Sequence, residues 1–198
     1  MLEPIICGCL HLTSMSTQHH GDGGETSLYD GQRLSKTDPI FAALGAVDEL
    51  NSVLGLAISA SPRTEHVLRL AWIQERLFAL GSDLANPERV EHGDWIHHSD
   101  VATLDDWLEG YQSSLPPLRH FILPGGIPAA ATVNFARAIC RRAERETLQL
   151  AKEVGLRSES MVFLNRLSDV LFEMARAMNH DTKTPEREWL GPRDRSDT

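Results

Sequence analysis

Positive charge is scarce in this chain. Nineteen Lys and Arg stand against 28 Asp and Glu, a formal net charge of −9 over 198 residues. Nucleic-acid binding without sequence preference needs basic surface to displace counterions, and a membrane-surface patch needs the same, so neither is a default partner. Cysteine is scarce too: only Cys7, Cys9 and Cys140 occur. An odd count with two members in a tail-like segment excludes a disulfide framework and points to a reducing, cytoplasmic setting. Cys7-Gly8-Cys9 has no second Cys or His pair at zinc-like spacing. His19-His20, His92 and His97-His98 fall in loops, with no His one helical turn away, so no protein-held metal is expected. No run approaches the ~20 apolar residues of a membrane span. No basic residue precedes the short apolar stretch from Pro4 to Leu12, which argues against a signal peptide. A Walker A loop, a nucleophile elbow and a dinucleotide fingerprint are also missing. With no protein nucleophile in sight, an enzymatic reading assigns the reacting group to a cofactor or substrate.

What the chain does have is helical periodicity. Apolar residues make up 41% of it, enough for a sizeable core. Asp38-Pro39 reads as an N-cap followed by proline at the first helical position. Phe41, Leu44, Val47, Leu50, Leu54 and Ile58 then recur at helical spacing and predict a helix over 39–59. Ser61-Pro62 repeats the start signal for a second helix, which Asn86-Pro87 ends. Ser99 caps a third, which ends before Pro116-Pro117. Leu123-Pro124-Gly125-Gly126 reads as a turn, followed by a fourth helix over 128–154. A fifth starts near Ser158. No strand pattern is visible. The expected fold is all-α, a five-helix up-and-down bundle. Residues 1–16 read as a flexible N-terminal tail with Met15 as an alternative start, 17–182 as the helical domain, and 183–198 as a charged C-terminal tail whose Trp189-Leu190 is apolar enough to dock.

The few positive charges are not spread evenly. Four arginines fall between Arg137 and Arg145. Arg137, Arg141, Glu144 and Arg145 recur at i, i+4, i+7 and i+8 and so share one helix face. Two readings stand at this point. One is a solvated face with intrahelical ion pairs; the other is an array of guanidinium forks suited to phosphate oxygens, with Glu144 orienting them. The fifth helix carries Asn165, Asp169, Phe172 and Arg176 along one stripe. Asn165 suits a nucleotide contact, and Asp169 suits an arginine or the water shell of a cation; a plain surface pair is the alternative. Asp48 sits beside the apolar stripe of the first helix. Buried, it needs a cationic partner such as Arg137 or Arg141; exposed, it needs none. Gly21-Asp22-Gly23-Gly24-Glu25-Thr26-Ser27 has the composition of a backbone nest for phosphates, to which Lys36 adds a point charge.

Several segments together resemble the PduO-type ATP:cob(I)alamin (corrinoid) adenosyltransferase family. They are Thr26-Ser27-Leu28, Ser35-Lys36-Thr37-Asp38-Pro39, Val47-Asp48-Glu49-Leu50-Asn51-Ser52 and Leu80-Gly81-Ser82-Asp83-Leu84-Ala85. Leu115-Pro116-Pro117-Leu118, Phe121-Ile122-Leu123-Pro124-Gly125-Gly126, Cys140-Arg141-Arg142-Ala143-Glu144-Arg145 and Asn165-Arg166-Leu167-Ser168-Asp169 follow in the family's order.

The resemblance implies a ferritin-like trimer of helical bundles with active sites between subunits. It implies transfer of the 5′-deoxyadenosyl group of ATP to the cobalt of cob(I)alamin, with Mg²⁺ bridging the phosphates. By the same resemblance, Gly21, Thr26, Ser27, Lys36, Arg141, Arg142, Glu144, Arg145 and Asn165 bind ATP. Phe121 lies beneath the corrin and displaces its lower axial ligand. Asp48 and Arg137 form an inter-subunit salt bridge near the corrin, and Asp169 supports activity. Arg141, Arg137, Asp48 and Asp169 are thus the catalytic candidates. A reductase and an adenosylcobalamin-dependent enzyme are the implied protein partners. In one place the chain departs from the pattern. The family's usual Tyr-Thr-Arg/Lys-Thr is replaced by Thr17-Gln18-His19-His20, which puts imidazoles where a basic side chain and a hydroxyl are expected. A non-catalytic relative that carries, delivers or senses corrinoid or nucleotide is the alternative that this departure leaves open.

Overall fold

A computed structural model of the chain describes residues 21–28, 31–86 and 96–191. Cys7, Cys9, Met15, His19, His20 and His92 lie outside the described residues. Five helices carry the fold: α1 (Pro39–Ala60), α2 (Thr64–Ala85), α3 (His98–Ser114), α4 (Pro128–Leu150) and α5 (Ser158–Asp181).

The start of α1 follows its sequence signal. The Asp38 carboxylate accepts from the Ile40 N–H at 3.1 Å, and Pro39 fills a first-turn position where no N–H is needed. The other boundaries shift slightly. Helix α2 begins at Thr64 with Arg63 at the N-cap position, two residues past the Ser61-Pro62 signal, because Pro62 leaves Ser61 extended. Helix α3 begins at His98 rather than after Ser99. The His97 N–H donates to the Asp100 carboxylate at 2.8 Å, so Asp100 reaches back and serves as the cap. Helix α4 stops at Leu150, short of Val154. Residues 151–154 turn under it, with the Glu153 N–H donating to the Leu150 carbonyl at 2.9 Å.

Helix α4 is central: it packs most closely on α1, then on α5, while α2 flanks α1 and α3 flanks α5. Small residues make that close approach possible. Ala43, Ala46 and Ala57 of α1 and Ala129, Ala136 and Ala143 of α4 are all buried. Around this seam lie Leu50, Leu54, Leu80, Phe163, Leu167 and Leu171, all fully buried. Each such side chain contributes about 1.5–3 kcal/mol of transfer free energy. Trp72 of α2 meets Trp107 of α3 edge-on at 5.1 Å and ties the flanking helices together. Contrary to the sequence expectation that no run approaches a membrane span, helix α1 is long and apolar enough by length and composition, because its Ala, Gly and Ser positions extend the apolar stripe; half of that window is buried inside the bundle.

Four short strands were not expected from the sequence. β1 (Glu25–Ser27) pairs antiparallel with β2 (Arg33–Ser35) ahead of α1. β3 (Phe121–Ile122) pairs antiparallel with β4 (Glu188–Trp189), so the chain beyond α5 returns to the bundle, with Phe121 opposite Trp189. Strands of two or three residues are too short to display an alternation of apolar and polar positions.

Candidate functional site

Helix α4 projects its arginines outward because its other side is committed to the core. Ala136, Ile139, Cys140 and Ala143 are buried, which leaves Arg141 and Arg145 exposed and Arg137, Arg142 and Glu144 half-buried. The Cys140 thiol points inward and donates to the Leu164 carbonyl at 3.3 Å; burial pushes its pKa far up, so it is an inert thiol.

The polar groups on this face are joined across helices. Asn165 of α5 donates through Nδ2 to Glu144 Oε1 at 2.9 Å. Glu144 therefore meets the α5 amide rather than a neighbouring guanidinium. Arg145 folds back and donates to the Arg141 carbonyl at 2.9 Å, which aims its remaining donors along the exposed face. Arg142 forms a two-point ion pair with Glu49 of α1, one contact running from Nη1 to Oε1 at 3.3 Å. That contact holds the Glu49 carboxyl below the usual glutamate range and raises Arg142 in turn. Glu49, next to the candidate Asp48, is thus the α1 carboxylate that meets the arginine cluster. Position alone did not separate them, since both are exposed on the same turn of α1.

Asp48 itself is exposed and forms no ion pair among the described residues of the chain. Arg137 lies over the Phe172 ring, 5.2 Å from its centroid. Asp169 is exposed and lies 3.8 Å from Arg166, whose Nε also pairs with Asp105 of α3.

The glycine-rich segment stands apart from this face. A β-carbon on Gly21 would lie 3.1 Å from Lys36 Nζ, so the lysine ammonium closes directly over the loop. The Lys36 N–H donates to the Gly24 carbonyl at 2.8 Å, and Gly24 adopts a φ of 81° that favours glycine. Thr26 and Ser27 sit on β1. The β1–β2 hairpin makes no extended contact with α4 or α5 within the chain. The structure therefore pairs Glu144 with Asn165 on the α5 side of α4 and Arg142 with Glu49 on its α1 side, and separately brings Gly21 together with Lys36, but among the described residues it does not merge these groups into one site.

Phe121 is 80% exposed on β3, facing solvent at the edge of the bundle. Beside it opens a cleft of about 410 Å³ whose lining includes Ile122, Pro124, Asn134, Arg176, Asn179 and Arg187. Asn179, a residue that sequence reasoning missed, organises this cleft. It is buried, accepts from the Ile127 N–H at 3.0 Å through Oδ1, and donates to the Gly125 carbonyl at 3.1 Å through Nδ2. One carboxamide thus satisfies both backbone groups of the Leu123–Gly126 turn and the start of α4. A polar residue inside the apolar stripe of α5 was its only sequence signal. Among the described residues, no three His, Cys, Asp or Glu stand close enough to form a metal cage.

Comparison with known proteins places these features in a family. The family model for cobalamin adenosyltransferase matches residues 16–178. The corrinoid adenosyltransferase PduO of Citrobacter freundii is 40% identical over 163 residues, 81% of this chain and 49% of that protein. The cobalamin adenosyltransferase of Cupriavidus metallidurans is 43% identical over 160 residues, 80% of this chain and 85% of that protein. The chain therefore spans about half the length of the first relative and most of the second. Among solved structures, a variant of a PduO-type ATP:corrinoid adenosyltransferase from Lactobacillus reuteri, complexed with cobalamin and ATP, matches with a TM-score of 0.80 at 35% identity. That match covers 86% of this chain and 97% of the other.

Proposed function

The chain belongs to the cobalamin adenosyltransferase family, and from that premise we propose that it transfers the 5′-deoxyadenosyl group of ATP to Co(I) of cob(I)alamin. The observation that carries this reading is the outward arginine face of α4, with Glu144 bridged to Asn165 at 2.9 Å, in an otherwise acidic chain.

In the proposed reaction, Co(I) donates its electron pair to C5′ of ATP. The C5′–O bond breaks, its electrons leave on the triphosphate oxygen, and cobalt ends formally as Co(III) in adenosylcobalamin. No protein nucleophile is required, which suits a chain that offers none. Arg141, Arg142 and Arg145 bind the triphosphate and offset the charge that grows on the departing oxygen, an effect of about 2.7–4 kcal/mol for one well-placed donor. Glu144 and Asn165 orient the nucleoside end. Gly21, Thr26, Ser27 and Lys36 supply backbone, hydroxyl and ammonium donors. Together these contacts hold C5′ in line for attack.

Two groups that both bind ATP yet do not pack on one another within a chain fit a site shared by two copies. This supports a homotrimer with inter-subunit sites, in which Asp48 of one copy pairs with Arg137 of the next. Phe121 then lies beneath the corrin and displaces the lower axial ligand. That lowers the orbital accepting the electron and eases reduction of cob(II)alamin to Co(I). Asp169 supports activity from α5. Mg²⁺ would be carried on the phosphates of ATP beside Arg141, Arg142 and Arg145, where it would offset phosphate charge without a dedicated protein cage. The proposed setting is the cytoplasm, with a reductase supplying Co(I) and an adenosylcobalamin-dependent enzyme receiving the product.

Incubation with ATP, Mg²⁺ and chemically reduced cobalamin is expected to yield light-sensitive adenosylcobalamin. Absence of product above background overturns the reading. A second reading, a non-catalytic corrinoid carrier, chaperone or sensor, is motivated by His19-His20 in place of the family's basic and threonine pair. Calorimetry separates the two: cobalamin binding without productive ATP binding favours the carrier.

A further inference from the structure

The ring expected to lie under the corrin stands on a strand that cannot hold itself. β3 is two residues long, and a pair of such strands has little stability of its own. Among the described residues its only ladder partner is β4, which is exposed at both positions, so burial does not hold β4 either. The two are joined by the register pairs Phe121–Trp189 and Ile122–Glu188, by the Leu123 N–H donating to the Arg187 carbonyl at 2.8 Å, and by the Phe121 and Trp189 rings edge-on at 6.4 Å.

The anchor of β4 lies just ahead of it. Glu186 Oε1 is 3.3 Å from Arg176 Nε. Arg176 is 6% exposed on α5, and its other donors are fixed as well: Nη1 to Glu173 at 2.8 Å and Nη2 to the Pro116 carbonyl at 2.6 Å. A buried guanidinium is tolerated only when paired and hydrogen-bonded, so its orientation is tightly held. Its planar fork thus joins α5, the segment after α3 and the returning chain. One turn further along α5, Asn179 grips the turn that follows β3. Two side chains of one rigid helix therefore hold the C-terminal end of the aromatic strand, where the antiparallel register puts Glu186 opposite Pro124, beside the turn that Asn179 grips.

We propose that Arg176 is a positioning residue, acting through Glu186 to hold β4 against β3 and so fix the Phe121 ring beside the cleft. The inference rests on the adenosyltransferase reading for what Phe121 does once fixed. A ring that must displace an axial ligand needs a fixed seat. With β4 released, Phe121 has a two-residue strand without a partner.

The test uses the full chain carrying Glu186→Gln, which keeps the shape of the side chain and removes its charge, and Arg176→Lys, which keeps charge but not the fork. Tryptic cleavage after Arg187, whose carbonyl the ladder occupies, reads the clamp without any ligand. Glu186→Gln is expected to be cut roughly tenfold faster than wild type, with Arg176→Lys in between, since a tenfold change needs only ~1.4 kcal/mol of lost holding energy. With ATP and cob(II)alamin, the nitrogen superhyperfine lines of the axial base are expected to be absent in wild type and to return in part in Glu186→Gln. Turnover from cob(II)alamin should fall by about tenfold, and turnover from pre-reduced cob(I)alamin by less than about threefold. Unchanged cleavage overturns the clamp. Faster cleavage with a wild-type spectrum and equal losses from both cobalt states overturns the positioning role. If wild type binds no cobalamin, the adenosyltransferase reading and the positioning role that rests on it both fall, while the cleavage result still decides whether Arg176 and Glu186 clamp β4.

Discussion

Asn179 fills the space that a side chain on Gly126 would need. A β-carbon there would fall inside the Asn179 carboxamide, and Gly126 has a φ of 97°, where side-chain-bearing residues are strained. The absence of a side chain at 126 is what lets one buried amide hold both Gly125 and Ile127.

Gly126→Ala therefore combines backbone strain with a direct clash. It is expected to cost about 2–4 kcal/mol, the range for a disrupted buried hydrogen-bond network at a special φ. For a chain of this size that lowers Tm by roughly 4–16 °C. A calorimetric melt within a degree of wild type would contradict the lock.

Lys183 offers the opposite case. It follows α5 with a φ of 55°, while its N–H donates to the His180 carbonyl at 3.0 Å and the Thr184 N–H donates to the Asn179 carbonyl at 2.8 Å. This is a Schellman cap with lysine at the position glycine favours. Lys183→Gly removes the left-handed penalty and is expected to stabilise the protein by about 0.5–1 kcal/mol, after allowing for glycine's greater freedom in the unfolded chain. A lower urea midpoint would show that the lysine side chain contributes more than its backbone costs.

Arg141 is exposed, so its loss should spare the fold. Arg141→Ala is expected to lower kcat by about 10²–10³, the usual cost of removing a donor to a developing oxyanion. Light scattering should report an unchanged assembly. Near-normal turnover would remove the arginine from the triphosphate site.

Glu49 gives a pH signature. The Arg142 hydrogen bond depresses its carboxyl pKa, so the charged form is favoured in the folded state. The contribution of the pair is present above the unfolded pKa of Glu49 and is lost as pH falls through the depressed folded value, on the acid side of the usual glutamate range. Carboxyl ¹³C titration should show that depression, and Arg142→Gln should abolish it. Saturating ATP should raise the Glu49 value as well if Arg142 turns to the phosphates. An unchanged Glu49 titration in Arg142→Gln would show that the ion pair does not persist in solution.

The helices were legible in the sequence because their signals are long. Leu50, Leu54, Leu80 and Leu84 repeat at helical spacing over several turns, and Asp38-Pro39 marks a start that the backbone then obeys. The arginine face was legible because core-facing Ala136, Ile139 and Ala143 force the charges to the other side of α4. What stayed hidden depends on pairs far apart in the chain. Nothing local to Phe121 announces Trp189 as its ladder partner, and nothing local to Gly126 announces Asn179. Arg176 reads only as a member of the α5 stripe and Glu186 only as part of a charged tail until the chain reversal after α5 brings them together. Glu49 and Asp48 differ by one position, and only the rotation of α1 against α4 decides which one meets Arg142.

The pairing of β3 with β4 also sets an order of events during synthesis. Phe121 emerges from the ribosome well before Trp189, and all of α4 and α5 lies between them. The bundle can close around its alanine seam while the aromatic strand still lacks its neighbour. The cleft is then the last part of the domain to take shape. A nascent or prematurely terminated chain would be folded yet unfinished at that one edge.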